Sequence, residues 1–110
     1  LITNSHAIGI CHQSLIKWFL SKNDPSSPIN VFDINLPVVA ETWDGYLHDI
    51  DGFHVQEEHV FQALDDAKGA DFVLEEGNVG GGTGMMSFGF KAGTGTSSRI
   101  VPELNCTVGV

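Results

Sequence analysis

The chain has 110 residues, with 14 Asp and Glu against 5 Lys and Arg, a formal net charge of −9, and 42% hydrophobic against 17% charged residues. That length holds about one small domain, the apolar share excludes a disordered chain, and no run approaches the ~20 apolar residues of a membrane helix. The cations Lys17, Lys22, Lys68, Lys91 and Arg99 are dispersed, which excludes the clustered basic face a nucleic acid needs; an acidic surface mildly favours cationic ligands such as amines.

The chain opens at Leu1 without a methionine, which points to processing or to a sequence boundary. No charged-then-apolar leader is visible. A helix is predicted over 6–22: Asn4 or Ser5 can cap it, and Ala7/Ile8, Cys11, Leu15 and Trp18/Phe19 recur at spacings of three and four, on one face. Asn23-Asp24-Pro25 stops it, with a loop over 25–28. Residues 36–40, Leu-Pro-Val-Val-Ala, read as a buried strand entered at a proline.

From 41 to 52 the chain turns polar, and Asp49-Ile50-Asp51-Gly52 suits a turn better than a calcium loop. Helical spacing returns over 56–68, with Val60, Phe61, Leu64 and Ala67 on one face and Gly69 ending it. Val73 and Leu74 fit a short strand, 87–90 reads as another, and a final strand-like run extends from 99 toward 110. Two helices and four or five short strands make an α/β or α+β chain.

Eight of the thirteen glycines fall between Gly77 and Gly95. Glycine serves where the backbone must turn unusually or approach another group without a Cβ. A structural loop, a backbone-lined catalytic wall whose amides stabilise developing negative charge, and a phosphate cradle all remain open. The Walker pattern is absent, because Lys91 lies between Phe90 and Ala92, and so is a G-x-G-x-x-G register.

Other constellations carry less. His54 and His59 lie five apart, which matches no zinc motif and reads as two surface histidines. Ser87 stands one residue off a hydrolase elbow, and Cys11 and Cys106 read as two buried free thiols in preference to a disulfide. The Asn105-Cys106-Thr107 sequon reads as a chance occurrence.

The ordered blocks 37–45 (Pro-Val-Val-Ala-Glu-Thr-Trp-Asp-Gly), 49–53 (Asp-Ile-Asp-Gly-Phe), 76–85 (Glu-Gly-Asn-Val-Gly-Gly-Gly-Thr-Gly-Met) and 89–99 (Gly-Phe-Lys-Ala-Gly-Thr-Gly-Thr-Ser-Ser-Arg), with Ile2-Thr3-Asn4-Ser5-His6 ahead of them, resemble the DmpA/P1 peptidases. These are the L-aminopeptidase/D-esterase and β-peptidyl aminopeptidase enzymes. The resemblance covers essentially the whole chain. It implies an α/β chain forming part of a four-layer α/β/β/α sandwich, similar to ornithine acetyltransferases and N-terminal-nucleophile hydrolases. Residues 1–110 would be a single partial domain from the α subunit of a larger self-cleaving precursor.

In such enzymes the precursor cuts itself before a serine or threonine, which becomes the nucleophile at the new amino terminus of the β subunit. That residue would lie beyond Val110, so this chain alone is expected to be inactive. The resemblance implies that Glu41 receives the α-ammonium of a peptide, amide or ester substrate. Trp43 stands where some members carry a tyrosine that helps hold the oxyanion, or it packs against the substrate side chain. Asn78 and Gly80, Gly81 and Gly82 would present amide groups beside the nucleophile. Lys91 either assists the nucleophile as a catalytic cation or forms a structural ion pair. No cofactor and no metal is implied. The expected partners are the β subunit of the same precursor and further copies of the αβ unit, with no nucleic acid and no membrane. A polyamide or aryl-amide hydrolase of the same fold, and a non-catalytic module that holds an anion on the glycine-rich wall, are the alternatives.

Overall fold

A computed structural model of the chain describes residues 1–22, 24, 26, 36–67 and 73–110. Strand β1 (Ile2–Asn4) leads through a 3₁₀ turn, Ser5–Ala7, into helix α1 (Ile8–Ser21). The Asn4 side-chain oxygen accepts the amide protons of His6 and Ala7, each at 3.1 Å, so the predicted cap forms one turn ahead of the regular helix. Strand β2 (Ala40–Thr42) returns beside β1 in parallel, with Ile2 opposite Ala40, Thr3 opposite Glu41 and Asn4 opposite Thr42. A parallel pair needs a long crossover, and α1 lies on it.

The second helix, α2 (Glu57–Asp65), packs across α1. Its start is held by the Gln56 amide donating to His59 Nδ1 at 3.0 Å and by the Gln56 side chain donating to the Phe53 carbonyl at 2.8 Å. His59 is therefore a capping residue in a tautomer whose Nδ1 accepts. The small core consists of Ala7, Cys11 and Val60, with Ile10, Val39, Val55 and Leu64 packed against it. At the rim, Lys22 pairs with Asp65 at 2.9 Å and the Trp18 indole N–H donates to the same carboxylate at 2.9 Å. These two bonds hold the Asp65 carboxyl below the usual range.

The C-terminal half is built of hairpins. Strands β3 (Met86–Ser87) and β4 (Phe90–Lys91) pair antiparallel, as do β5 (Ser98–Val101) and β6 (Cys106–Gly109). A 3₁₀ turn, Pro102–Leu104, and Asn105 at φ 47° connect the latter two.

Several predicted elements differ. Residues 36–39 lie outside the strand and Leu36 is 91% exposed; the Leu1 ammonium donates to the Val38 carbonyl at 3.1 Å, and the register with β1 begins at Ala40. Val73 and Leu74 are exposed and unpaired rather than a strand. The run 87–90 is two strands joined at Phe88 and Gly89, and the run 99–110 is likewise a hairpin. Of the two free cysteines, Cys11 is buried but Cys106 is exposed. In α2, Val60 is buried and Phe61 and Leu64 are half-buried; the helix ends at Asp65, so Ala67 lies beyond it and is exposed. The predicted stop at Gly69, and all of the predicted loop over 25–28 except Ser26, lie outside the described residues.

Period-two alternation does not mark where a chain reverses, and Phe88 is a poor turn residue by type. Phe88 and Gly89 nevertheless take φ of 52° and 80°, which suits the two-residue hairpin that wants positive φ at both central positions. A side chain held there costs about 1–2 kcal/mol relative to glycine. Phe88→Asn is expected to raise stability by about 1 kcal/mol, since asparagine tolerates this region. A denaturant midpoint lower than that of the unsubstituted protein would show that the phenyl ring makes a stabilising contact.

The described structure is a slab, 50 × 44 × 21 Å, with a radius of gyration of 16.5 Å. A self-contained domain of this length would have about 13 Å. Phe90, Ile100, Leu104 and Val108 are exposed on the hairpins.

Candidate active-site wall

The glycine-rich segment forms a turn fastened on three sides. Gly80–Gly82 makes one 3₁₀ turn. Its first side is the bridge between Gly77 and Thr94, where the Gly77 amide donates to the Thr94 carbonyl at 2.7 Å and the Thr94 amide donates back at 2.8 Å. The Thr94 hydroxyl adds a bond to the Val79 carbonyl at 2.9 Å. A Cβ on Gly82 would lie 2.3 Å from the Thr94 nitrogen, and one on Gly93 would lie 2.7 Å from the Gly77 oxygen. Both glycines are thus required by close approach of two backbone segments.

The second side is Glu76, whose carboxylate accepts from the Thr96 hydroxyl at 2.6 Å and the Thr96 amide at 2.9 Å. The hydroxyl bond is the larger cause, the amide bond the next, and together they lower the Glu76 pKa. The bonds therefore contribute above the ordinary glutamate range and are lost on acidification through the lowered value.

The third side is Lys91. Its Nζ donates to Asn78 Oδ1 at 2.7 Å, to the Gly82 carbonyl at 2.9 Å and to the Ala92 carbonyl. Three of the predicted site residues, Lys91, Asn78 and Gly82, thereby meet at one point. The structural ion pair foreseen for Lys91 is replaced by neutral oxygens, and no carboxylate pairs with it among the described residues.

Gly81 packs on the β1–β2 pair: a Cβ there would sit 3.7 Å from Ile2 and 3.8 Å from the Thr42 hydroxyl. The turn separates two cavities. One, of about 450 Å³, is lined by Thr3, Asn4, Cys11, Asp44 and His59, with Gly80 and Gly81. The other, of about 610 Å³, lies between Thr42 and the glycine segments, lined by Val79, Gly80–Gly82 and Gly93–Gly95. Glu41 and Trp43 are exposed and border neither, although Thr42 between them borders the second. The Trp43 ring lies over Gly45, where a Cβ would be 2.8 Å from it.

Two histidines, His6 and His54, brace the 3₁₀ turn Ile50–Gly52. His6 pairs with Asp51 at 3.1 Å and stacks on Phe53 with ring centroids 5.9 Å apart, and His54 meets Asp49 at 3.0 Å. Among the described residues no group of three His, Cys, Asp or Glu side chains is placed to hold a metal ion.

Asp44, Thr94 and Glu76 are positional residues that local reading did not single out. The Asp44 Oδ1 is buried with no hydrogen-bond partner among the described residues, while its backbone carbonyl accepts from Leu47 and His48 at 3.1 and 3.0 Å. The usable signal was the pairing of two glycine clusters: Gly77 is one half of a bridge to Thr94 and Gly93 flanks its other half, which neither cluster announces alone.

An α/β chain that lays a glycine turn against a parallel strand pair defines the class, and comparison places it. The chain belongs to peptidase family S58, whose sequence model matches residues 1–110. This is the DmpA-type family to which the motif blocks point. It is 46% identical to the β-peptidyl aminopeptidase BapA of Sphingosinicella microcystinivorans over 101 residues, covering 92% of this chain and 24% of that protein. BapA of Sphingosinicella xenopeptidilytica is likewise 46% identical, over 111 residues, covering 99% and 26%.

Among solved structures, the L-aminopeptidase D-Ala-esterase/amidase of Ochrobactrum anthropi superposes with a TM-score of 0.73 at 46% identity, covering 91% of this chain and 27% of that one. It is described as a variant of the Ntn hydrolase fold. A Burkholderia β-aminopeptidase superposes with a TM-score of 0.80 at 38% identity, covering 98% and 29%. The fold expectation, α/β of the N-terminal-nucleophile hydrolase type, is therefore met. The chain spans about a quarter of the length of the curated relatives it matches.

Proposed function

We propose that this chain is an interior part of the α subunit of an aminopeptidase-type hydrolase that cleaves its own precursor. The observation that carries the reading is the glycine turn seated on the strand pair that bears Glu41, within a chain 46% identical to β-peptidyl aminopeptidases. The nucleophile, a serine or threonine freed at the start of the β subunit, comes from another part of the polypeptide. Its hydroxyl attacks the substrate carbonyl and gives its proton to its own freed amine or a nearby base; that proton then passes to the leaving nitrogen or oxygen, which departs as an amine or alcohol and leaves the acyl-enzyme. Water then hydrolyses the acyl-enzyme and restores the hydroxyl.

In this scheme Glu41 holds the substrate's α-ammonium, and the amides of Asn78, Gly80 and Gly81 face the carbonyl oxygen as it gains negative charge, the Gly82 amide being held by the Val79 carbonyl at 2.9 Å. Trp43 packs beside the substrate or donates its indole N–H there. The open apolar faces of the hairpins are covered by the rest of the polypeptide, and αβ units assemble into a larger oligomer.

The test is turnover by the full-length protein on matched free-amine and N-acetylated peptides, amides and esters, with mass spectrometry of the subunits. Expected are an internal cut and release of amino-terminal residues only from free amines, with the isolated 110-residue chain inert. Equal turnover of acetylated substrates would favour a polyamide hydrolase, and an uncut, inactive protein that binds anions would favour a binding module.

A further inference from the structure

Lys91 ends β4 with its ammonium turned onto the glycine segment. An ammonium has three protons and no acceptor, and three oxygens surround it: Asn78 Oδ1, the Gly82 carbonyl and the Ala92 carbonyl. Its donor capacity is spent within the protein. A lysine serving as proton acceptor for a nucleophile needs a free lone pair facing that nucleophile, whereas here each N–H direction ends on a neutral oxygen.

The same contact decides the orientation of Asn78. The oxygen and nitrogen of a side-chain amide are told apart only by their partners, and a lysine can only donate. Asn78 must therefore turn its oxygen to Lys91, which sets its NH₂ group on the opposite side of the amide. A positive charge on the carbonyl oxygen draws electron density from the nitrogen and strengthens its N–H groups as donors. The bond to the Gly82 carbonyl anchors the end of the Gly80–Gly82 turn to the same point.

We propose that Lys91 is a positioning residue acting through Asn78: it fixes and polarises the Asn78 amide so that Nδ2 donates to the substrate's acyl oxygen. The assignment rests on reading the glycine segment as the oxyanion-facing wall. Lys91 then supplies no proton to the reaction and never touches substrate.

Four variants of the full-length protein, with rates normalised to processed enzyme, test this. Removing an oxyanion donor typically costs about 100-fold or more in kcat, so Lys91→Met and Asn78→Ala are each expected to lower kcat about 100-fold with KM nearly unchanged. Lys91→Arg keeps a permanent charge and several donors but cannot act as a base, and is expected to retain kcat within about fivefold. Lys91→Met combined with Asn78→Ala is expected to cost no more than Asn78→Ala alone, as residues acting in series do.

Loss of activity in Lys91→Arg as deep as in Lys91→Met, accompanied by loss of the limb of the pH–rate profile in both, would overturn the proposal in favour of a proton-transfer role. Full multiplicative loss in the double variant would also overturn it. Backbone hydrogen exchange over 77–84 separates this inference from the reading beneath it. If the unsubstituted protein hydrolyses nothing, the hydrolase reading fails, and the brace then stands on faster exchange in Lys91→Met with normal exchange in Lys91→Arg. Unchanged exchange in Lys91→Met would remove it.

Discussion

Glu41→Ala in the full-length protein is expected to lower kcat/KM on free-amine substrates about 100-fold and to leave N-acetylated substrates nearly untouched. A hydrogen bond to a charged group contributes about 1.5–3 kcal/mol, and each 1.4 kcal/mol is about tenfold, so a carboxylate–ammonium pair has that size. Glu41 sits at the centre of β2, held by its register with Thr3 on β1, so its backbone has little freedom to let another group take its place. Glu41→Gln keeps the size and an acceptor oxygen but loses the charge, and is expected to fall between the two. Steady-state kinetics on the matched pair decide the matter. Equal losses on free and acetylated substrates would remove Glu41 from amine recognition and leave it a strand residue exposed to solvent.

The second large effect is on stability. Gly82→Ala places a Cβ 2.3 Å from the Thr94 nitrogen, 2.6 Å from the Gly77 oxygen and 2.8 Å from the Gly93 carbonyl carbon. All three are backbone atoms, so no side-chain rotation relieves the clash. The Gly77–Thr94 bridge must open or the turn must leave β1. Overpacking of this kind costs about 1–3 kcal/mol, and about 1 kcal/mol more goes with each bridge hydrogen bond lost. A fall of about 3–4 kcal/mol is expected in chemical denaturation. Gly95→Ala is the control, because nothing lies within 4 Å of its added carbon, and it is expected to change stability by less than about 1 kcal/mol. Equal stabilities for the two variants would mean that the bridge does not hold the turn.

Both helices were legible because their determinants are local. Asn4 reaches amides two and three residues on, and Cys11 and Leu15 share a face by spacing alone. The strands were less so. Leu36 and Val38 carry apolar side chains, yet the strand register starts at Ala40, because β1 supplies its partners only from Ile2 onward. Phe88 hid a reversal because its residue type argues against the left-handed conformation that it adopts. At the candidate site, the ordered motif blocks named Asn78, Gly80–Gly82 and Lys91, and the fold brings the Lys91 ammonium onto Asn78 and Gly82. They left Lys91 between a catalytic cation and an ion pair.

By itself the sequence determined two amphipathic helices, an α/β composition, the absence of a basic face, and membership of one peptidase family. Each follows from residue type, short-range spacing or the order of motif blocks. Only the tertiary structure decided which segments meet. It joined Gly77 to Thr94, seated Gly81 against Thr42, and turned the ammonium of Lys91 onto Asn78 and Gly82. Such contacts join residues far apart in the chain, where no local pattern records how closely two backbones approach or which oxygen faces a cation.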